Sequence, residues 1–221
     1  MNVVIFGATG MVGQGVLREA VRDADVKRIV SVGRSARGVA DPKVREVVQK
    51  DMWNLRPIEG ELEDLDACLF CLGITSAGMT EADYERVTYG ITMAAAETLS
   101  RLNPSMTFVF VSGAGTDSTE RGRTMWARVK GKTENALMRL PFKAVYAFRP
   151  GAIRAMNGET SRTGSYRVLY ALFSPVWVVG DRLSPRYFTN TEKLGRAMLK
   201  AAKVGAPTKI LESVDINALA L

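Results

Sequence analysis

The 221-residue chain contains no histidine. This absence excludes His-based catalytic triads, histidine metal ligands and imidazole proton shuttles, so acid–base chemistry is left to Tyr, Lys, Ser or carboxylates. Cysteine is also scarce, with Cys68 and Cys71 in the apolar run "CLFC" as the two examples. Three positions apart on a strand, they point to opposite faces. The spacing therefore predicts small core residues and not a metal or redox pair.

Long hydrophobic runs are lacking as well. The longest, "VLYALFSPVWVVG" at residues 168 to 180, is too short to span a bilayer and is interrupted by Ser174 and Pro175. It could line an apolar pocket or touch a membrane surface, but core packing or a subunit contact, as in a homodimer, is favoured. With neither a disulfide framework nor a charged, apolar and small-residue leader, a cytoplasmic location is expected.

The chain carries a formal net charge of +7, which permits an anionic ligand or nucleic acid. No nucleic-acid partner is expected, because the basic residues are spread along the chain without a binding motif. The most basic stretch, "RGRTMWARVKGKTEN", winds as an amphipathic helix in which Arg128 and Lys132 face solvent. Lys130 falls on the apolar face with Trp126, so it either binds a partner or ligand or extends its amine along the helix to water.

Short β-branched runs alternate with longer amphipathic segments. Strands are predicted at 2 to 6, 28 to 33, 44 to 49, 66 to 73, 106 to 113 and 143 to 151. Helices are predicted at 11 to 23, 81 to 102, 123 to 140 and 190 to 203, with a further helix around "YRVLYALF" and a short last strand at "KILES". This alternation predicts an α/β class, a doubly wound (Rossmann) parallel sheet with helices on both faces. Residues 1 to 221 then form a single domain, in which 151 to 221 supply the substrate side of the cleft.

The strongest motif is "VVIFGATGMVGQG", a glycine pattern that follows a strand and opens a helix. Gly7 allows the tight turn, Gly10 lets backbone N–H groups approach a pyrophosphate, and Gly13 lets helix and strand pack closely. The helix N-terminus offers free N–H donors and a partial positive charge. The predicted phosphate contacts come from Gly7, Thr9, Gly10, Met11, Val12 and Gly13.

The end of the second strand decides which dinucleotide binds, since NAD-binding folds place an acidic residue there on the ribose 2′-hydroxyl. This chain has "SVGRSARG" at that place, without an acid. Arg34, Ser35 and Arg37 can instead hold a 2′-phosphate, with Arg as a planar fork. NADP is therefore favoured over NAD; the alternative is that these arginines form a solvated loop.

Further segments, "FCLGITSAG", "FVSGAGTD", "VKGKTE", "FRPGAI", "LGRAML" and "ILESVDINALA", follow the glycine motif in order. Together they resemble the short-chain dehydrogenase/reductase superfamily, in its atypical branch with a Gly-x-x-Gly-x-x-Gly fingerprint. The chain is more closely similar to Tat-interactive-protein-like oxidoreductases and to NAD(P)-dependent epimerase/dehydratase families. The resemblance covers most of the chain.

The resemblance implies roles for individual positions. Ser112 matches the strand-five region that carries the catalytic serine, and Lys130 matches the lysine of Tyr-x-x-x-Lys, which holds the nicotinamide ribose. Asp51 with Met52 matches the site of adenine contact. The remaining implied cofactor contacts follow the fourth and sixth strands: Cys71, Leu72, Gly73, Pro150 and Gly151.

Two departures from the family pattern bear on catalysis. The position of the catalytic tyrosine is occupied by Trp126, whose indole N–H donates a hydrogen bond but does not act as an acid near neutral pH. Ser112 is followed by Gly113 where the family often has a second serine. Other tyrosines could replace the missing phenol by chemistry alone: Tyr84, Tyr89 and Tyr166.

Two functions are compatible with these residues. The first is an NADP-dependent oxidoreductase of a small carbonyl or alcohol substrate, with Ser112 and Lys130 as its catalytic residues. The second is a non-catalytic NADP(H)-binding sensor or interaction protein that has lost its proton donor. Both functions include cofactor binding, so both require the dinucleotide site.

Overall fold

A computed structural model describes residues 1 to 159 and 186 to 221. The predicted helix around "YRVLYALF", the apolar run at 168 to 180 and Tyr166 lie outside the described residues. The first part of the chain contains β1 (Asn2–Phe6), α1 (Met11–Arg22), β2 (Arg28–Gly33), β3 (Val44–Val48), a 3-10 helix (Arg56–Glu61), β4 (Ala67–Phe70) and α2 (Glu81–Leu102). The second part contains β5 (Thr107–Val111), α3 (Met125–Leu137), β6 (Ala144–Arg149), β7 (Ala152–Arg154), β8 (Phe188–Asn190), α4 (Thr191–Val204), β9 (Ile210–Glu212) and α5 (Ser213–Leu219).

Seven parallel strands form the central sheet in the order β3-β2-β1-β4-β5-β6-β9. The predicted doubly wound α/β fold is therefore confirmed. The strand order reverses between β1 and β4, which places a crevice at their carboxyl ends, where such folds bind ligands. A separate parallel pair, β7 and β8, was not predicted. The substrate-side role of 151 to 221 and the homodimer remain predictions.

The central strands are buried on both faces, as helix-covered parallel strands require. In β1, Val3, Val4, Ile5 and Phe6 are fully buried. Helices α1 and α4 pack on one face of the sheet and α2 and α3 on the other. The fold therefore has two apolar layers, one on each side of the sheet.

Cys68 in β4 and Cys71 directly after it point to opposite faces of the sheet, as their spacing predicted. Cys68 is buried in the layer beneath α2 and α3, whereas Cys71 packs against the layer beneath α1 and α4. Burial raises the pKa of the Cys68 thiol and of the Cys71 thiol. Cys68 is therefore a core residue, as predicted, whereas Cys71 is partly buried at the edge of its layer.

Helix α2 begins at Glu81 because the Thr80 side chain accepts a hydrogen bond from the backbone N–H of Asp83. Its exposed carboxylates bind the basic residues of α3. Arg128 Nε donates to Glu81 at 3.1 Å, and Lys132 Nζ donates to Glu85 at 2.6 Å. Arg128 and Lys132 were expected simply to face solvent; they pair instead with carboxylates, because α2 lies beside α3 and presents acids to them.

A membrane-crossing helix is not found in the described part of the chain. None of its helices combines the length and the apolar character that a bilayer span demands.

Candidate functional site

The turn between β1 and α1 has the close approaches for which glycine is required. Gly7 has φ of +85°, and a Cβ there would lie 2.8 Å from the backbone of Leu72. A Cβ on Gly13 would lie 2.1 Å from the carbonyl oxygen of Gly7. Gly10 N–H closes the turn by donating to the same oxygen at 2.9 Å. Any larger residue at Gly7 or Gly13 would push the loop away from the sheet.

Helix α1 begins directly after this turn with its N-terminus uncapped. Gly10 is its N-cap residue and has no side chain to accept a hydrogen bond, and the first turn contains no acidic residue. By contrast, Thr80 caps α2 and Asn190 caps α4. The first N–H groups of α1 therefore remain available as hydrogen-bond donors, and the helix end presents a partial positive charge to an anion.

A cavity of about 480 Å³ opens beside this helix end. Ten of the predicted cofactor-contacting residues line it: Gly7, Thr9, Gly10, Met11, Val12, Arg34, Met52, Cys71, Leu72 and Gly73. Six further lining residues had no predicted role: Gly33, Lys50, Trp53, Ile74, Val87 and Ile91. Among the residues that the structure describes, this lining contains two cations, Arg34 and Lys50, and no carboxylate.

The loop after β2 is held by Glu46 of β3. Its carboxylate accepts hydrogen bonds from the backbone N–H groups of Arg37 at 2.6 Å, Gly38 at 2.7 Å and Val39 at 3.1 Å. Burial alone would raise the pKa of Glu46, but these donors lower it below its usual value. The Glu46 carboxylate is therefore engaged with the backbone N–H groups of this loop.

Arg34, Ser35 and Arg37 occupy different places in this loop. Arg34 lines the cavity, whereas Ser35 and Arg37 lie outside its lining. Arg37 donates from Nη1 to the carbonyl oxygen of Ala8 at 3.1 Å, which fastens the loop to the glycine-rich turn. Of the three, Arg34 is the residue that lines the cavity.

Asp51 and Met52 follow β3, and they too differ in whether they line the cavity. Met52 is buried and lines the cavity. The Asp51 carboxylate lies outside the lining and accepts a hydrogen bond from the backbone N–H of Trp53 at 3.0 Å.

Lys130 belongs to α3, and its amine reaches the carboxyl end of β5. Its Nζ donates to the carbonyl oxygen of Ser112 at 2.6 Å, so its amine does not extend along the helix to water. Burial lowers the pKa of Lys130 to about 8, and the nearby Glu134 carboxylate acts in the opposite direction. The amine can therefore exchange a proton near neutral pH.

The hydroxyl of Ser112 faces the protein interior. It lies within donating distance of Glu134 Oε1, at 2.5 Å, and of the carbonyl oxygen of Phe148, at 3.2 Å. Glu134 also receives the Arg149 guanidinium, whose Nε is 3.1 Å from Oε1, and Arg149 Nη2 donates to Ser118 Oγ at 2.6 Å. Ser112, Glu134 and Arg149 form a buried network under the ends of β5 and β6, and the exposed Ser118 joins it from the surface. Sequence reasoning missed Glu134 and Arg149, because their pairing joins a helix to a distant strand.

Pro150 and Gly151 follow β6 and contact the loop after β5 and the start of α5. The carbonyl oxygen of Pro150 accepts from Ala114 N–H at 2.9 Å, and Gly151 N–H donates to Ser213 Oγ at 2.8 Å. Like Ser112 and Lys130, they lie outside the lining of the cavity described above. Most of the predicted site residues thus fall into a cavity group and a second group at the ends of β5 and β6, whereas Ser35, Arg37 and Asp51 belong to neither.

Trp126 and the two described tyrosine candidates, Tyr84 and Tyr89, lie outside the lining of the cavity. Trp126 is half-buried beside Gly115, where a Cβ would lie 3.7 Å from the indole Cη2. Tyr84 is buried, which raises its pKa, and the Tyr89 ring lies 5.0 Å beneath the Lys132 ammonium. Neither tyrosine lines the cavity.

Comparison with known proteins gives relatives of moderate similarity. No protein-family model matches the chain. It is 28% identical to "Protein FMP52-1, mitochondrial" of Scheffersomyces stipitis over 164 residues, covering 73% of this chain and 71% of that protein. It is 32% identical to "Protein FMP52-2, mitochondrial" of the same organism, covering 67% and 65%. A third relative, "Protein FMP52, mitochondrial" of Chaetomium globosum, is 24% identical across 96% of this chain and 94% of that protein.

Solved structures share the fold at low sequence identity. The Bordetella bronchiseptica enzyme WbmF in complex with NAD+ superposes with a TM-score of 0.67 at 14% identity, covering 98% of this chain and 76% of WbmF. The UDP-N-acetylglucosamine 4-epimerase of Methanobrevibacter ruminantium superposes with a TM-score of 0.68 at 14% identity, covering 95% and 74%. The chain thus has the Rossmann fold of epimerase and short-chain dehydrogenase/reductase enzymes, which confirms the resemblance at the level of fold.

The comparisons also correct the predicted location. The relatives of Scheffersomyces stipitis and Chaetomium globosum are named as mitochondrial proteins. The cytoplasmic prediction is therefore wrong; it rested on cysteine usage and the missing leader pattern, neither of which specifies a compartment.

Proposed function

We propose that the chain binds NADP in the cavity at the N-terminus of α1. The observation that carries this proposal is a cavity with an uncapped helix end and two cations, Arg34 and Lys50, whose described lining residues include no carboxylate. The N–H groups after Gly10 would hold the pyrophosphate, and Arg34 would bind the 2′-phosphate that distinguishes NADP from NAD. The fit of the glycine-rich turn, in which Gly7 and Gly13 leave no space for a Cβ, supports the same group.

The proposed reaction is oxidoreduction of a carbonyl or alcohol substrate. The dinucleotide supplies or accepts the hydride when bound. The chain contributes the Lys130 amine, which lies at the end of β5 and has a pKa of about 8. In the reducing direction, the Lys130 ammonium gives its proton to the substrate oxygen and takes another from water.

Ser112 has a positioning role in this proposal. Its carbonyl oxygen accepts the Lys130 hydrogen bond, while its hydroxyl is directed to Glu134. The Ser112 hydroxyl would have to leave Glu134 before it could contact a substrate. Lys130 is therefore the proposed catalytic residue.

A second function, NADP(H) binding without turnover, is favoured by one specific observation. The position of the usual phenol is occupied by Trp126, and the nearby serine hydroxyl is bound inside the protein. A sensor needs the nucleotide site but not a proton donor. The two functions share the cavity and differ in what Lys130 does.

Hydride transfer separates these functions. The chain is incubated with NADPH deuterated at the transferable C4 position and a panel of aldehydes and ketones, and the alcohols are analysed for deuterium by mass spectrometry. We expect deuterated alcohol from the parent chain and from Lys132→Met, but not from Lys130→Met. NADPH binding without deuterium transfer identifies the non-catalytic function, and no NADPH binding contradicts both.

A further inference from the structure

Trp53 is an exposed aromatic side chain in the wall of the nucleotide cavity. It follows the buried Met52 after β3, yet 45% of its surface is accessible. Large aromatic side chains are commonly buried, because each removes a large apolar area from water. A half-exposed indole that lines a cavity therefore offers apolar surface to a ligand.

The orientation of the indole is fixed from three sides. Its Nε1 donates to the carbonyl oxygen of Arg86 at 3.2 Å, and the Arg86 guanidinium lies 5.4 Å from the ring centroid. A Cβ on Gly90 would lie 3.1 Å from Nε1, so α2 accepts the ring closely only because this position is glycine. The Asp51 carboxylate holds the backbone N–H of Trp53. The exposed ring is preorganised and does not have to be ordered by its ligand.

The neighbours of the indole define the ligand chemistry. Val87 and Ile91 add apolar surface to the lining, whereas Arg34 and Lys50 add positive charge. A flat aromatic surface beside cations suits a ligand that joins a planar base to phosphate groups, since bases stack on aromatic side chains. The adenosine half of a dinucleotide has this combination.

We propose that Trp53 is a nucleotide-binding residue on which the adenine base stacks, held in place by Arg86 and Gly90 of α2. This inference rests on the proposed function, because it names the part of NADP that this wall receives. It also assigns Asp51 a positioning role, since its carboxylate holds the Trp53 backbone.

The test measures two fragments of the dinucleotide by isothermal titration calorimetry. Adenosine 2′,5′-bisphosphate carries the adenine, and reduced nicotinamide mononucleotide carries the other base. Trp53→Ala is expected to weaken binding of the adenine fragment by roughly 5- to 150-fold, the usual range for a stacked base, and to leave the nicotinamide fragment unchanged. Trp53→Phe retains an aromatic face and is expected to recover most of the affinity.

Two further variants separate stacking from a general disturbance. Gly90→Ala keeps the indole but displaces it, so it should also weaken the adenine fragment. Val48→Ala changes another exposed apolar residue near the same strand end, outside the cavity lining, and should have no effect. Circular dichroism of each variant establishes that the fold is retained.

Each outcome decides the proposal. Unchanged affinity of Trp53→Ala for the adenine fragment overturns it, as does a selective loss of the nicotinamide fragment. If the adenine fragment binds through Trp53 but no hydride transfer occurs, the adenine assignment stands and the oxidoreductase function fails. If the parent chain binds neither fragment, both proposals are overturned.

Discussion

The Lys130 ammonium lies 2.6 Å from the carbonyl oxygen of Ser112 and joins α3 to the carboxyl end of β5. An ammonium has three donors, so this bond leaves two for other groups. The Ser112 hydroxyl is directed away from the same place, to Glu134. The backbone of Ser112 thus orients the amine, while its side chain belongs to the interior.

The pH dependence of turnover tests the role of Lys130. Its pKa is lowered to about 8, so the ammonium form needed for carbonyl reduction is lost as pH rises through that value. We expect the rate of NADPH-dependent reduction to fall above about pH 8, and the rate of alcohol oxidation to rise over the same range. Steady-state rates from pH 6 to 10 measure both directions.

The lysine variants provide the control for this profile. Lys132 pairs with Glu85 on the outer side of α3, so Lys132→Met should retain the inflection. Lys130→Met should lose both the activity and the inflection. A parent profile without a change near pH 8 would show that another group transfers the proton.

The Trp126 position tests whether the missing phenol limits the rate. Trp126→Tyr restores the acid of the Tyr-x-x-x-Lys pattern, and we expect carbonyl reduction to increase roughly 100-fold, the lower end of the usual acid–base contribution. Trp126→Phe should leave the parent rate unchanged. NADPH oxidation at 340 nm measures the rates, and equal rates for the Tyr and Phe variants would contradict this expectation.

The buried carboxylate of Glu134 should be important for stability. Its removal leaves the Arg149 guanidinium, which is 9% exposed, without its main partner. We expect Glu134→Ala to lower the free energy of unfolding by about 3 kcal/mol. The matched control, Glu85→Ala, removes an exposed pair with Lys132 and should cost about 1 kcal/mol or less. Urea unfolding monitored by circular dichroism measures both; equal losses would contradict the argument.

Much of the fold follows from periodicity, and the differences have physical causes. The predicted α2 is confirmed at both ends because it is long and begins after a capping threonine, Thr80. The predicted fourth strand is longer than β4, because Cys71, Leu72 and Gly73 leave the sheet to line the cavity. The three-residue strands β7 and β8 pair only with each other, so no local pattern indicated them.

In the candidate site, too, local features could be predicted from the sequence and contacts between distant elements could not. The glycine-rich turn and the inward face of Lys130 were readable from spacing alone. The orientation of the Ser112 hydroxyl was not, because it depends on Glu134 from another element. Trp53 was missed for a similar reason, since it lies in a loop and its partners, Arg86 and Gly90, come from α2.

The glycine-rich turn gives a prediction about folding and binding together. A Cβ on Gly13 would overlap the carbonyl group of Gly7, so Gly13→Ala must displace the turn from α1. We expect a destabilisation of about 1 to 3 kcal/mol and a loss of NADPH binding. Gly60→Ala, where nothing lies within 4 Å of the new Cβ, is the control. Unaltered stability and binding in Gly13→Ala would contradict the close approach.

The proposed selection of NADP by Arg34 is tested most directly by calorimetric titration, which measures the affinity of the chain for NADPH and for NADH. A charged hydrogen bond to phosphate contributes about 1.5 to 3 kcal/mol, so NADPH should bind the parent chain roughly 10- to 150-fold more tightly than NADH. In Arg34→Ala this preference should largely disappear, with NADH affinity unchanged. Equal affinities in the parent chain, or an undiminished preference in Arg34→Ala, would contradict the claim.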